Sequence, residues 1–74
     1  MIDKSTLLLE LGLHIQNLRK EKGISQSKFA FECEMEKANM CRIESGKVNV
    51  SINVLYRISQ TLGIHLKDLF DFYE

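Results

Sequence analysis

The chain has 74 residues, 45% of them hydrophobic, with ten Lys and Arg balanced by ten Asp and Glu. That length holds one domain and leaves no room for a second core, and so small a domain buries only about 60% of its unfolded surface. Two cysteines, Cys33 and Cys41, are too few for a disulfide scaffold, and no secretory signal is recognised ahead of them, so a reducing cytoplasm is the expected setting. The apolar run Leu7-Leu8-Leu9 is soon interrupted by Glu10 and His14, far short of the ~18 apolar residues of a membrane span.

Apolar residues recur at helical spacing almost throughout, which predicts an all-α fold of five helices. The first is expected over residues 6–22, with Leu8, Leu11, Ile15 and Leu18 on one stripe and Gly23 as its C-terminal cap. Ser25 is a suitable N-cap for a second helix over 26–33 that turns Phe29, Ala30 and Cys33 inward. After a break at 34–36, a third helix covers 37–45 and stops at Gly46. Ser51 caps a fourth helix that runs to Leu62 with Val54, Leu55, Ile58 and Leu62 inward. Gly63 closes it, His65 stands at the next N-cap, and a short fifth helix is expected over 66–72.

The second and third helices, with their short break, have the dimensions of a helix-turn-helix spanning residues 25–47, in which the second of the pair enters the DNA major groove. On the third helix Met40 and Ile43 point to the core, while Lys37, Ala38, Cys41, Arg42 and Ser45 fall on the opposite side. Two long cationic side chains with a small residue between them suit a helix that must approach base edges, and an arginine grips guanine O6 and N7 with two hydrogen bonds. Charge permits this role without demonstrating it. Residues 19–47 carry seven basic against five acidic groups, a net of +2, whereas 63–74 carry a net of −2.

Taken together, Leu18-Arg19, Gly23, Ser25-Gln26, Ala30, Ile43-Glu44-x-Gly46-Lys47, Leu55, Ile58 and Leu62-Gly63 make the stretch 11–70 resemble the Xre-type helix-turn-helix family. That family includes phage repressors of the lambda kind and the controller proteins of restriction–modification systems. The resemblance implies a compact five-helix, lambda repressor-like DNA-binding domain without a cofactor. It places Lys37, Ala38 and Arg42 at base-reading positions and Gln26, Ser45, Lys47, Asn49 and Asn53 at phosphate-contacting ones. It makes Arg19 and Glu44 an ion pair that braces the recognition helix. Two residues depart from the family pattern: Glu34 stands where the turn usually has glycine, and must take a strained backbone conformation, and Val50 where the following loop often has proline.

Competing readings narrow the assignment. Cys33 reads as a small core residue; Cys41 lies on the groove-facing flank, but nothing in the sequence shows the lowered thiol pKa that a redox-sensitive contact there would need. His14 and His65 match no zinc-ligand spacing with the cysteines, and neither a nucleophile–base pair nor a phosphate-binding loop is present, so neither a metal site nor an enzyme is expected. Phe70, Phe72 and Tyr73 form an aromatic tail. It either packs back on the fourth helix or, the favoured reading, buries against its copy in a twofold dimer on a near-palindromic operator in double-stranded DNA. The alternatives of another class are an antitoxin that binds a toxin and its own promoter, and an interaction module that binds no DNA.

Overall fold

The computed structural model describes residues 3–72, and every regular element among them is helical: α1 (Lys4–Glu21), α2 (Gln26–Glu32), α3 (Lys37–Glu44), α4 (Ile52–Leu62) and a 3-10 helix (Leu66–Phe70). The expected order of five helical segments is the observed one, with two changes at the ends. α1 starts at Lys4 rather than Thr6, because the Asp3 carboxylate accepts the Thr6 backbone N–H at 2.8 Å and serves as N-cap. The same bond holds the Asp3 carboxyl below its ordinary pKa. The last segment is a tight 3-10 turn ending at Phe70, not an α-helix to residue 72. There the Asp68 carbonyl closes onto the Asp71 N–H at 3.3 Å and also accepts His14 Nε2–H at 2.9 Å, which turns the chain toward α1.

Local signals set the other boundaries. Ser25 accepts the Lys28 N–H and Ser51 the Val54 N–H, capping α2 and α4 as expected. Each α-helix ends the same way: an amide bonds the carbonyl five residues back, at Ile24 to Arg19, Met35 to Ala30, Lys47 to Arg42 and Ile64 to Ser59. The residue before each of those amides is left-handed, and this C-terminal motif favours glycine there. Three of the four positions are glycine and the fourth is Glu34, at φ 58°, the strained conformation expected of it.

Leu11 and Ile15 of α1, Phe29, Ala30 and Cys33 around α2, Met40 and Ile43 of α3, Leu55, Ile58 and Leu62 of α4, and Leu69 form one buried core. Leu18 and Val54 pack against it half-buried. α1 lies across the end of α3 at backbone distance. A Cβ built on the buried Gly12 would collide with the Ile43 carbonyl oxygen and come within 2.7 Å of that of Glu44. One on Gly46 would come within 2.7 Å of Leu9 Cα. These two approaches fix where the C-terminal end of α3 sits, and so the direction in which its other end points.

Candidate nucleic-acid interface

α2 and α3 are joined by a four-residue turn, and α3 buries only Met40, Ile43 and Glu44. Lys37, Ala38, Asn39, Cys41 and Arg42 are all exposed on one continuous face, with no other element covering them. A short helix with a bare polar face, held to a core by its other side, is the form of an element that enters a groove.

The brace is built from four side chains. Arg19, from the last turn of α1, donates through Nε to Glu44 Oε2 at 2.8 Å and through Nη2 to Glu44 Oε1 at 3.0 Å, a two-point grip on the carboxylate. Its third nitrogen, Nη1, donates to the Ile24 carbonyl at 2.8 Å. Arg19 and Glu44 are 7% and 6% exposed, so neither charge is left to water. Gln26 at the start of α2 donates Nε2–H to Glu44 Oε1 at 3.0 Å, and Gln16 reaches the same oxygen at 3.5 Å. One carboxylate on α3 therefore ties α1 and α2 to the recognition helix. The resemblance assigns Gln26 to phosphate alone, whereas its amide sits in the brace and keeps one N–H for another acceptor.

The remaining candidates fall into groups. Arg42 lies with Asn49 and Ser51 along a cleft of about 580 Å³ between α3 and the start of α4. Ser45, Lys47 and Asn49 share a second hollow with Leu8 and Leu9. Lys47, Asn49 and Asn53 are exposed, and Asn53 borders neither hollow. The Ser45 hydroxyl donates to the Cys41 carbonyl at 2.7 Å, so it must turn away from its own helix before it can donate to a phosphate. Glu34 and Glu36 also line the first cleft, and Glu36 directly precedes Lys37 in the chain, so the cleft that holds Arg42 carries negative charge as well.

Two residues stand outside the sequence reading. Asn39 accepts Arg42 Nη1–H through Oδ1 at 2.8 Å, a pairing whose three-residue spacing on a helix is visible in the sequence. Arg57 of α4 donates to the Cys33 carbonyl at 3.2 Å and satisfies the end of α2. No local pattern announces that contact, because it joins elements 24 residues apart.

The aromatic tail is split. Phe72 is half-buried against the core, with its ring centroid 5.7 Å from that of His14 on α1, while Phe70 is 37% exposed. Phe72 thus rests against α1, while the turn that carries Phe70 packs on both α4 and α1, and Tyr73 lies outside the described residues. Cys33 is fully buried, and burial raises its thiol pKa above the ordinary value. Among the described residues no group of three His, Cys, Asp or Glu side chains is placed to hold a metal, and no helix is long and apolar enough to cross a membrane.

A braced recognition helix behind a short turn defines a helix-turn-helix DNA-binding domain. Residues 14–74 match the Cro/C1-type HTH DNA-binding domain family, and the chain belongs to it. It is 38% identical over 69 residues to control protein C.BamHI of Bacillus amyloliquefaciens, covering 92% of this chain and 85% of that one. The restriction–modification controller protein C.AhdI of Aeromonas hydrophila superposes with a TM-score of 0.83 at 30% identity, over 85% of this chain and 96% of that one. SinR, the master regulator for biofilm formation, solved in complex with DNA, superposes at 0.76 with 34% identity, over 82% and 98% of the two chains. The protein is a DNA-binding transcription regulator by family and not an enzyme.

Proposed function

We propose that the chain is a homodimeric, sequence-specific regulator that sets α3 into the major groove of each half of a near-palindromic operator. Its relatives make control of a restriction–modification cassette the leading context. Lys37, Ala38 and Arg42 read base edges; Gln26, Ser45, Lys47, Asn49 and Asn53 hold phosphates; Phe70, Phe72 and Tyr73 contribute to the dimer contact. The observation that carries the reading is the Arg19–Glu44–Gln26 network. Burying two charges to hold one short helix is hard to account for as packing, since a well-packed apolar pair stabilises a fold as well or better. It makes sense where the direction of α3 has to be reproducible.

Selection of bound sequences from a random duplex pool tests this directly. The expected product is a near-palindrome with half-sites about one helical turn apart. Recovery of a single unpaired half-site contradicts the dimer, and recovery of no preferred sequence contradicts base reading. Within a selected operator, Arg42→Ala is expected to cost about 1–3 kcal/mol and relax preference at one base pair of each half-site. Lys47→Ala is expected to weaken all duplexes alike and reduce the slope of log affinity against log salt by about 0.9 for each phosphate no longer neutralised.

A further inference from the structure

Arginine is a flexible reader. With four rotatable side-chain bonds and rotamer freedom to lose, it grips a guanine well only if its planar fork already lies in the right orientation. On α3 that fork is not free. Arg42 Nη1 donates to Asn39 Oδ1 at 2.8 Å, across one turn of the same exposed face. Glu34 and Glu36 border the same cleft and would compete for the guanidinium, yet among the described residues Arg42 makes no ion pair. The short Asn39 amide, fixed to the helix on two rotatable bonds, holds the cation over α3. The contact uses one hydrogen of Nη1 and leaves Nε–H and Nη2–H, an edge that can donate two parallel hydrogen bonds, without a protein partner among the described residues. Among the described residues the Asn39 side chain bonds only Arg42 and caps no helix end, so apart from the slight stabilisation an exposed i,i+3 pair gives its helix, the contact serves the orientation of Arg42.

We propose that Asn39 is a positioning residue for base recognition: it orients the Arg42 guanidinium before DNA arrives and thereby sharpens the base preference of Arg42. This rests on Arg42 reading a base. The asparagine acts through its acceptor oxygen, and its effect is confined to the complex in which Arg42 makes both hydrogen bonds. Non-specific duplex, where Arg42 meets only phosphate, gains nothing from the fixed orientation.

The test measures affinities of the full chain for the selected operator, for operators changed at one base pair, and for unrelated duplex. Asn39→Ala is expected to reduce discrimination about 3- to 10-fold at the base pair read by Arg42, the share expected from releasing one immobilised side chain. Affinity for unrelated duplex and thermal stability should stay unchanged. Asn39→Asp keeps the acceptor and removes the amide donor, so it should restore discrimination at that pair. In an Arg42→Ala background, Asn39→Ala should have no further effect on discrimination. Discrimination reduced at a different base pair, and not restored by Asp, would show that Asn39 reads a base itself and would overturn the proposal. Unchanged discrimination, or effects of the two alanines that simply add, would do the same. If Arg42→Ala itself moves no base preference, the assignment of Arg42 as reader fails first, and that outcome is distinct from the others.

Discussion

Glu44 is the residue on which the most structure converges: two nitrogens of Arg19 and the amide of Gln26 donate to its two oxygens, and only 6% of it is exposed. Removing one member of such a pair leaves the other buried and unpaired, which costs about 3–5 kcal/mol. For a domain of this size that is a large part of the total stability, about 0.05–0.15 kcal/mol per residue. Glu44→Ala should therefore lower the urea midpoint sharply, by the equivalent of about 3–5 kcal/mol. Replacing both partners, Arg19→Met with Glu44→Leu, should recover most of that stability, because no charge is then stranded. If the double variant retained full sequence-specific DNA binding, the network would be needed for stability alone. The pairing of Arg19 with Glu44 was legible from the family pattern. The hydrogen bond from Gln26 was not, because the sequence gives no sign of which of several acceptors a partly exposed amide will face.

At the scale of the elements, the boundaries that depend on neighbours in sequence were legible and those that depend on distant parts of the chain were not. Ser25, Ser51 and the glycines after α1, α3 and α4 act on backbone groups within a few residues and define their helix ends unaided. The C-terminal turn, by contrast, is shaped by His14, 54 residues from Asp68. Gly12 reads as a flaw in a helix until α3 is placed against it. Two predictions separate these cases. Glu34→Gly should stabilise the fold by about 0.5–1 kcal/mol, the left-handed penalty of an L-residue less the extra chain entropy of glycine. Glu34→Ala, which removes the charge but keeps the strain, should show none of that backbone gain by chemical denaturation. Gly12→Ala tests the opposite sign. Helix propensity alone favours alanine by about 1 kcal/mol, but the new methyl meets the carbonyls of Ile43 and Glu44, which cannot rotate away. Sterics should win and cost about 1–3 kcal/mol. α3 should also be displaced enough to weaken operator binding more than non-specific binding. A higher melting temperature for Gly12→Ala would refute the close approach of α1 and α3.

For the whole molecule the question is how a chain of zero formal net charge holds a polyanion. One copy of the chain offers few cations, and Glu34 and Glu36 line the same cleft as Arg42. The proposed twofold dimer would answer this by doubling the phosphate contacts at unchanged zero net charge, and it would fix two α3 helices relative to each other so that one duplex satisfies both. Of the tail that would make the contact, Phe72 is partly committed to His14, which leaves Phe70 as the described aromatic with surface to offer. Phe70→Ser should therefore shift the chain toward monomer in sedimentation equilibrium at micromolar concentration. Its fold should survive, because the neighbouring Leu69 supplies the core contact of that turn. Operator affinity should fall far more than affinity for a single half-site, and the salt slope on the full operator should drop to about half, since log affinity scales with the number of phosphates neutralised. If Phe70→Ser leaves both sedimentation and salt slope unchanged, the aromatic tail is not the dimer contact. A dimer would then have to form through another surface, and the exposed Ile52 and Tyr56 of α4 are the next side chains to replace.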